Sequence, residues 1–394
     1  MTHDVSLRHS RRTTFVSTSS QQYASLVMES NENDIVLSFI AEWFDPYSQL
    51  LKKYLLTYHV NSSEVEMNDL DTRRKFLKRT KLPPSLDHSD FVKGSIIVLL
   101  SRQLKLVDYA DTATRQILQD KEERMTILVT PSLVESIGDI VINIEREDCA
   151  LIDIKSLHFF SSSIDDINEA MQLLPGMELQ DLCSSSSPFV ALSFRGSDSI
   201  ESVRALVESS PFCNGVACPR IGQEQEFSDF FLSKHRSTTA TLEECTACVI
   251  RPHIIKDRMF GQVVNDILAR GFIISAIQMF RLDKETAAEF LAIYKGVFPH
   301  PQYVELVDEM SSGSLIALEL RRDNNLSGNV VEDFRAQAGP WDHSVACELH
   351  PHSIRAKFGK STVANAIHCT DIPKDGVIEC EYFFKVLAGR QGMH

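Results

Sequence analysis

The chain has no apolar run near the ~18 residues that a membrane-spanning helix requires, although 43% of its 394 residues are hydrophobic. No membrane partner is therefore expected. After "CTAC", Cys245 to Cys248, there is no second Cys-x-x-Cys and no His-x-x-x-His at zinc-finger spacing. A structural zinc needs four ligands, so the pair reads as small residues of a buried strand, "TACVI", and no metal is expected. The nine cysteines are an odd number with no secretory leader before them, which points to reduced thiols and a cytoplasmic location. Residues 1–30 are rich in Ser and Thr and carry Arg8, Arg11 and Arg12, but they have no apolar core. They read as a disordered or extended arm.

Positive charge is also in short supply, with 40 Lys+Arg against 54 Asp+Glu, a net charge of −14. The shortfall is uneven. Residues 1–120 hold 15 basic and 15 acidic side chains, and residues 121–394 hold 25 and 39, which accounts for the whole −14. That argues against nucleic acid as the main partner.

What is present divides into blocks, as the length suggests at ~150 residues per domain. From Asp34 to Thr114, short β-branched and aromatic runs such as "VLSFIAEWF" and "KKYLLTYHV" are broken by Asp-Pro, Asn-Ser-Ser and Pro-Pro. They predict an all-β sandwich or barrel. Two later blocks resemble each other. "MTILVTPSLVESIGDIVINI" from Met125 parallels "TACVIRPHIIKDRMFGQVVNDI" from Thr246, and "PFVALSF" parallels "SLIALEL". A repeat of ~120 residues is a duplicated domain, and strands alternating with helices make it α/β. The polar seam 234–244, "KHRSTTATLEE", reads as the linker, and the serine run 184–187 as a surface loop.

Residues 246–387 resemble a nucleoside diphosphate kinase. The matching stretches are "RPH", "GFIISAIQMFRLDKETAAEFLAIYKG", "MSSGSLIALEL", "GPWD", "SIRAKFGKSTVANAIHCTD" and "GVIECEYFF". "FIAEWFDPYSQLLKKYLLTYHV", "VEMNDL", "FLKRTKLP" and "SRQLKLVDYAD" look like a DM10 domain. The implied architecture is an arm (1–30), an all-β, PH-like DM10 domain (31–119) and two ferredoxin-like kinase-type α/β domains (120–236 and 237–394). One DM10 domain ahead of two kinase-like domains is similar to a branch of the family found in cilia and centrosomes.

The resemblance implies roles. His368 matches the nucleophile that carries phosphate, a task suited to an imidazole that is largely neutral at pH 7. Glu379 matches the residue that orients it, and Tyr294 the aromatic whose hydroxyl lies beside it. Asn365 matches the ribose contact, and Arg335 and Arg355 the phosphate cations. Without the family, a lone histidine here reads as a structural residue, and Arg335 and Arg355 read as solvated or paired with Glu332 and Asp333.

Four positions depart from the pattern. Arg251 stands for a lysine, His300 for an arginine, Gln302 for the phenylalanine under the base, and Trp341 for a small threonine. Losing one such donor costs ~2.7–4 kcal/mol, or ~10²–10³ in rate. An indole at 341 is large enough to occupy the phosphate site. In the second block, Thr130 takes the cationic position and Ala217, in "NGVAC", takes the histidine's place. The arginine-bearing loop before it is missing, so that block is expected to be inactive.

Two readings follow from the resemblance. The first is a structural microtubule-associated protein of cilia or flagella, a microtubule inner protein of axonemal doublets, needing no cofactor. Its partners would be tubulin, other axonemal proteins or the γ-tubulin ring complex. It would sit in the cytoplasm and cytoskeleton, at the axoneme, centrosome or basal body. The second is a nucleoside diphosphate kinase using Mg2+ and ATP or GTP through phospho-His368. A monomer with an internal kinase–kinase interface is expected. The basic run "TRRKFLKRTK", Thr72 to Lys81, reads either as a solvated strand face with Phe76 and Leu77 turned inward or as a contact for an acidic protein surface. Trp43 and Phe44 read as core or interface aromatics.

Overall fold

The computed structural model describes residues 35–391, apart from 46–47, 85, 87, 101, 120–122, 160–162, 175–186, 197, 234–237 and 323–327. The expected arm at 1–30, most of the serine run and the start of the linker lie outside the described residues. The chain divides into two units, residues 1–95 with 105–115, and residues 96–104 with 116–394.

The N-terminal sheet follows from period-2 alternation. In β1 (Val36–Asp45), Leu37, Phe39 and Ala41 are fully buried, while in β2 (Leu50–His59) the buried positions are Tyr54, Leu56 and Tyr58. Such alternation puts one face of an antiparallel sheet on the core and the other in water. With β3 (Glu64–Asp69), β4 (Lys75–Lys81), β5 (Ile96–Leu99) and β6 (Arg102–Tyr109) these strands form one six-stranded sheet, in the order β4-β3-β2-β1-β6-β5. The strands of this all-β region thus pair in one continuous order, with β4 first and β5 last.

β4 is an edge strand with two register shifts against β3. Six of its seven residues are exposed, and Phe76, with its ring 4.8 Å from Tyr54, is among them. Phe76 thus packs on the buried Tyr54 while part of its ring stays exposed, and Leu77 is half-buried, because an edge strand has a neighbour on one side only. Lysines and bulges on an edge oppose strand-to-strand association. Phe44 is exposed, and the Lys52 ammonium sits 5.4 Å over the half-buried Trp43 ring.

The second unit holds an eight-stranded sheet, β10-β7-β9-β8-β12-β13-β11-β14. Its strands are β7 (Glu123–Val129), β8 (Ala150–Leu157), β9 (Phe189–Gly196), β10 (Val216–Ala217), β11 (Thr246–Ile250), β12 (Phe272–Arg281), β13 (Ser314–Arg322) and β14 (Ile367–Cys369). Within each half the spatial order is fourth, first, third, second, and the halves join through their second strands. β11 is buried throughout, and β9 and β13 nearly so, because apolar clusters cover both faces of the sheet.

The junction rests on specific pairs. Gln278 and Lys155 are register partners. The Ser156 hydroxyl accepts from the Ile277 amide at 2.9 Å and donates to its carbonyl at 3.1 Å. The helices Ile137–Arg146 and Phe260–Ala269 meet at glycine on both sides. A Cβ at Gly138 would lie 2.5 Å from the Gly261 carbonyl oxygen, and one at Gly261 would lie 2.5 Å from that of Gly138. Only glycine permits so close a backbone approach. Asn265 donates to Asp139 across this contact at 2.7 Å.

Candidate functional site: a histidine pocket closed by an indole

His368 lies in the short strand β14, register partner of Val249 on β11. Its ring is buried, and Nε2 is 2.8 Å from Glu379 Oε2. Glu379 comes from the helix Gly376–Glu381 and also accepts from the Thr370 hydroxyl at 2.9 Å. A carboxylate on Nε2 fixes the tautomer with the proton there and leaves the Nδ1 lone pair free. Nδ1 is buried with no hydrogen-bond partner. Phe290 meets the imidazole edge-on at 4.9 Å.

Trp341 sits in a turn that the sequence "GPWD" dictates. Gly339, at φ 85°, ends the helix Val330–Ala338, and Asp342 caps the helix His343–Leu349 by accepting from the Ser344 amide at 2.9 Å. A Cβ at Gly339 would meet the Ser353 hydroxyl at 2.4 Å, so the turn is held from outside as well. The indole faces two guanidinium groups, Arg251 at 5.2 Å and Arg355 at 5.3 Å from the ring centre. It stacks on Phe298 at 5.0 Å and lies 5.6 Å from the Tyr294 ring. Cation–π pairs of this kind strengthen when desolvated, and both arginines are buried.

Arg251 follows β11. Its Nη1 donates to the Val363 carbonyl and lies 3.5 Å from Glu309, while Nε and Nη2 have no partner. Burial pushes the guanidinium pKa down from its ordinary value, with Glu309 opposing. Arg355 donates to the carbonyls of Gly339 at 2.9 Å and Ile367 at 3.3 Å. Asn365 donates to the Trp341 carbonyl at 3.2 Å, and its Oδ1 has no partner. Trp341, Arg251, Arg355 and Asn365 therefore form one cluster, and Tyr294 joins it to the histidine, 6.2 Å from the imidazole.

The other expected site residues lie differently. The Tyr294 ring neighbours the imidazole, and its hydroxyl donates to Asp371 at 2.7 Å. Burial, then Asp371, pushes its pKa up. Arg335 is half exposed and pairs with the same Asp371 carboxylate, so neither Glu332 nor Asp333 is its partner. Asp333 pairs with Arg322. His300 is the exposed first residue of the helix His300–Met310, and Gln302 is half-buried on it. Among the described residues, neither makes a hydrogen bond or ring contact with the cluster.

Sequence reasoning missed Phe298, Glu309, Thr370 and Asp371. Thr370 and Asp371 stand within the quoted "HCTD" and were legible as polar neighbours of the histidine. Phe298 and Glu309 carry no local signal, because tertiary packing alone brings them in. The Cys245–Cys248 pair is also split by the fold. Cys248 faces Cys369 across the β11–β14 ladder. Cys245 approaches Cys380 and Glu319, their ligand atoms lying within 4.8 Å of one another. The Glu319 carboxylate accepts from the Thr241 and Leu242 amides at 2.8 and 2.7 Å and from the Ser275 hydroxyl. Those bonds pin the linker to the sheet.

In the first half the same register places Ala217 opposite Leu128. Arg251 and Thr130 each follow the first strand of their half directly. The Arg251 amide donates to Ala366 at 3.0 Å, and the Thr130 amide to Gly215 at 2.9 Å. Counting from these bonds, Ala217 stands where His368 stands. The residues 339–366, which bring Trp341 and Arg355, correspond to only 210–215 in the first half.

A half-sheet in the order fourth-first-third-second, with a buried histidine held by glutamate beside two arginines, defines a class. Residues 244–387 match the family model described as nucleoside diphosphate kinase. Over 377 residues the chain is 33% identical to "Nucleoside diphosphate kinase homolog 7" of Rattus norvegicus, covering 89% of this chain and 93% of the relative. The Mus musculus protein of the same name is 33% identical over 375 residues, with the same coverage. A "Nucleoside diphosphate kinase" of Chloroherpeton thalassium is 36% identical over 141 residues, covering 36% of this chain and 92% of the relative. The chain belongs to the nucleoside diphosphate kinase family.

Proposed function

We propose that this chain is a structural microtubule-associated protein of cilia or flagella, built on a kinase scaffold whose chemistry has been given up. On this reading residues 31–119 are a DM10 domain, 120–236 a degenerate kinase-like domain and 237–394 a second one. The placement of Trp341 carries the proposal. An indole held between Arg251 and Arg355 takes the cations that a triphosphate would need. Arg335 is neutralised by Asp371, and His300 stands apart. As placed, these side chains do not fit a magnesium nucleotide, so no transfer step is derived through one.

Support for a protein partner comes from β4. Lys75 pairs with Glu66, and Arg79 and Lys81 with Glu64, leaving Arg73, Arg74 and Lys78 without an ion pair among the described residues. A basic edge of this kind suits an acidic surface such as tubulin, at the axoneme or centrosome, and steers association in a salt-dependent way. Cosedimentation of the full chain with doublet microtubules tests it. Binding at low salt that weakens in Lys78→Glu is expected, and protein left in the supernatant would refute the reading.

One observation favours a second reading, an active kinase: the free Nδ1 of His368 with Nε2 held by Glu379. It requires the indole to leave. A pulse with γ-labelled ATP separates the two. The structural reading expects only trace acid-labile label on wild type, none on His368→Gln, and a rise of about 10²-fold in Trp341→Thr, the worth of one well-placed contact. Ready labelling of wild type, chased onto GDP, would establish the kinase instead.

A further inference from the structure

Glu319 is a carboxylate in the middle of the sheet. It lies on β13 among buried neighbours, and its register partners are Ala247 on β11 and Ala276 on β12. The residue is 0% exposed, and among the described residues no cation lies within ion-pair distance of it. A buried charge is costly, and buried carboxylates are ordinarily paired or coordinate metals. Hydrogen bonds compensate Glu319 in part. Oε2 accepts from the Thr241 amide at 2.8 Å, from the Thr241 hydroxyl at 3.3 Å and from the Ser275 hydroxyl. Oε1 accepts one bond among the described residues, from the Leu242 amide at 2.7 Å. A carboxylate oxygen has two lone pairs, so Oε1 retains one.

Two thiols complete the group. Cys245 stands just before β11 and Cys380 in the helix Gly376–Glu381, and both are buried. Their sulfurs and a Glu319 carboxylate oxygen lie within 4.8 Å of one another. No other three His, Cys, Asp or Glu side chains converge in this way among the described residues. Glycine sets the approach of the helix, since a Cβ at Gly376 would lie 2.3 Å from the Cys245 carbonyl oxygen.

We propose that Cys245, Cys380 and Glu319 form a structural zinc site. Two sulfurs and one carboxylate suit Zn2+, whereas Mg2+ and Ca2+ take oxygen ligands. In a tetrahedral zinc site such donors stand roughly 3.5–3.8 Å apart, so closing on the ion needs a contraction of about 1 Å. The fourth position falls to a water or to the Thr241 hydroxyl, which already lies against Glu319. On binding, each thiol releases its proton to solvent as its S–Zn bond forms, and no electron is transferred. The ion's two charges offset two of the three anions. It would tie the end of the linker, β13 and the C-terminal helix together. The sequence hides this site, because the second sulfur comes from Cys380 and not from Cys248 of "CTAC". None of the three ligands belongs to the histidine pocket, so the site stands whichever reading of His368 holds.

Elemental analysis of the full chain, expressed with added zinc and purified without chelator, tests this. About one zinc per chain is expected. Cys245→Ser, Cys380→Ser and Glu319→Gln should each hold less than about a tenth of that. Cys347→Ser removes an exposed thiol beside His343 and should leave the zinc in place. Cobalt(II) keeps the proposal open to refutation if a ligand variant fails to fold. Wild-type protein grown with cobalt in place of zinc should show the intense near-ultraviolet thiolate-to-cobalt band, and Cys347→Ser should keep it. A zinc-free wild type, a cobalt form without that band, unchanged zinc in any ligand variant, or zinc lost in Cys347→Ser overturns the proposal. So does a Cys245–Cys380 disulfide in peptide maps of freshly prepared protein, since the two sulfurs would then be a redox pair.

Discussion

The two halves of the eight-stranded sheet share a backbone and differ in what it carries. Both place a residue directly after the first strand whose amide bonds the chain entering the fourth strand, at 2.9 Å in one half and 3.0 Å in the other. In the second half that residue is Arg251 and the fourth strand carries His368; in the first half they are Thr130 and Ala217. The apolar positions that specify the strands are buried alike in β7 and β11. Fold and chemistry are therefore encoded in separable residue sets. The first half has neither the histidine, the cation nor the residues between them, yet it keeps the same strand order and a buried core. The shared junction gives the first half a structural part, since β12 would otherwise be an open edge.

The junction gives the largest test. If it couples the halves symmetrically, Gly261→Leu and Gly138→Leu should destabilise by similar amounts, about 3 kcal/mol or more, because each side chain drives into the opposing backbone. Urea unfolding would show this as equal falls in midpoint. Very different values for the two would show that one half folds without leaning on the other.

A second test is nearly as large and reaches one half only. Glu145 lies in the last turn of the helix Ile137–Arg146, and Arg258 from the other half donates to its backbone carbonyl at 3.3 Å. Burial pushes the Glu145 carboxyl up to about 7 from an ordinary 4.5, against the Leu151 amide and Arg258. The folded-state pKa is raised, so the sign is fixed. The contribution is whole below pH 4.5, where folded and unfolded chains both hold the proton. It falls between 4.5 and 7 as the unfolded chain ionises first, and it stays low above 7. A shift of this size corresponds to about 3 kcal/mol at most. Glu145→Gln should unfold later than wild type at pH 8 by up to that amount and match it at pH 4. A variant that is equally stable at both pH values would place Glu145 in contact with water.

How much of this was legible follows from where each signal lies. The paired strands were readable because apolar runs repeat in both halves, and His368 with Glu379 because they sit in dense motifs near the C-terminus. The pairing order of the N-terminal strands was not, since period-2 alternation reports one buried face and says nothing of which strand neighbours which. The exposure of Phe76 was missed for a related reason: an edge strand keeps its aromatic residues but has fewer neighbours to cover them. Arg335 shows the limit at the site itself. Its motif position was clear, yet its charge is spent on Asp371, a residue 36 positions away that periodicity does not connect to it.

The smallest effect probes what is left of the pocket in the first half. The Thr130 hydroxyl donates to the Gly215 carbonyl at 2.9 Å and lies 3.0 Å from the Ser132 hydroxyl. A Cβ at Gly215 would meet Leu133 at 2.4 Å, so side chains already fill this corner. Thr130→Val keeps that shape and removes one neutral hydrogen bond, which should cost about 1 kcal/mol in stability. Nothing in nucleotide binding should change. Arg251→Met, at the matching position, leaves the buried Val363 carbonyl without its donor and Glu309 with His253 alone, and should cost several times more, because removing one partner of a buried charged pair is far worse than removing a neutral bond. If thermal unfolding ranked the two the other way, the corner around Thr130 would hold an interaction of its own, and the first half could no longer be regarded as scaffold alone.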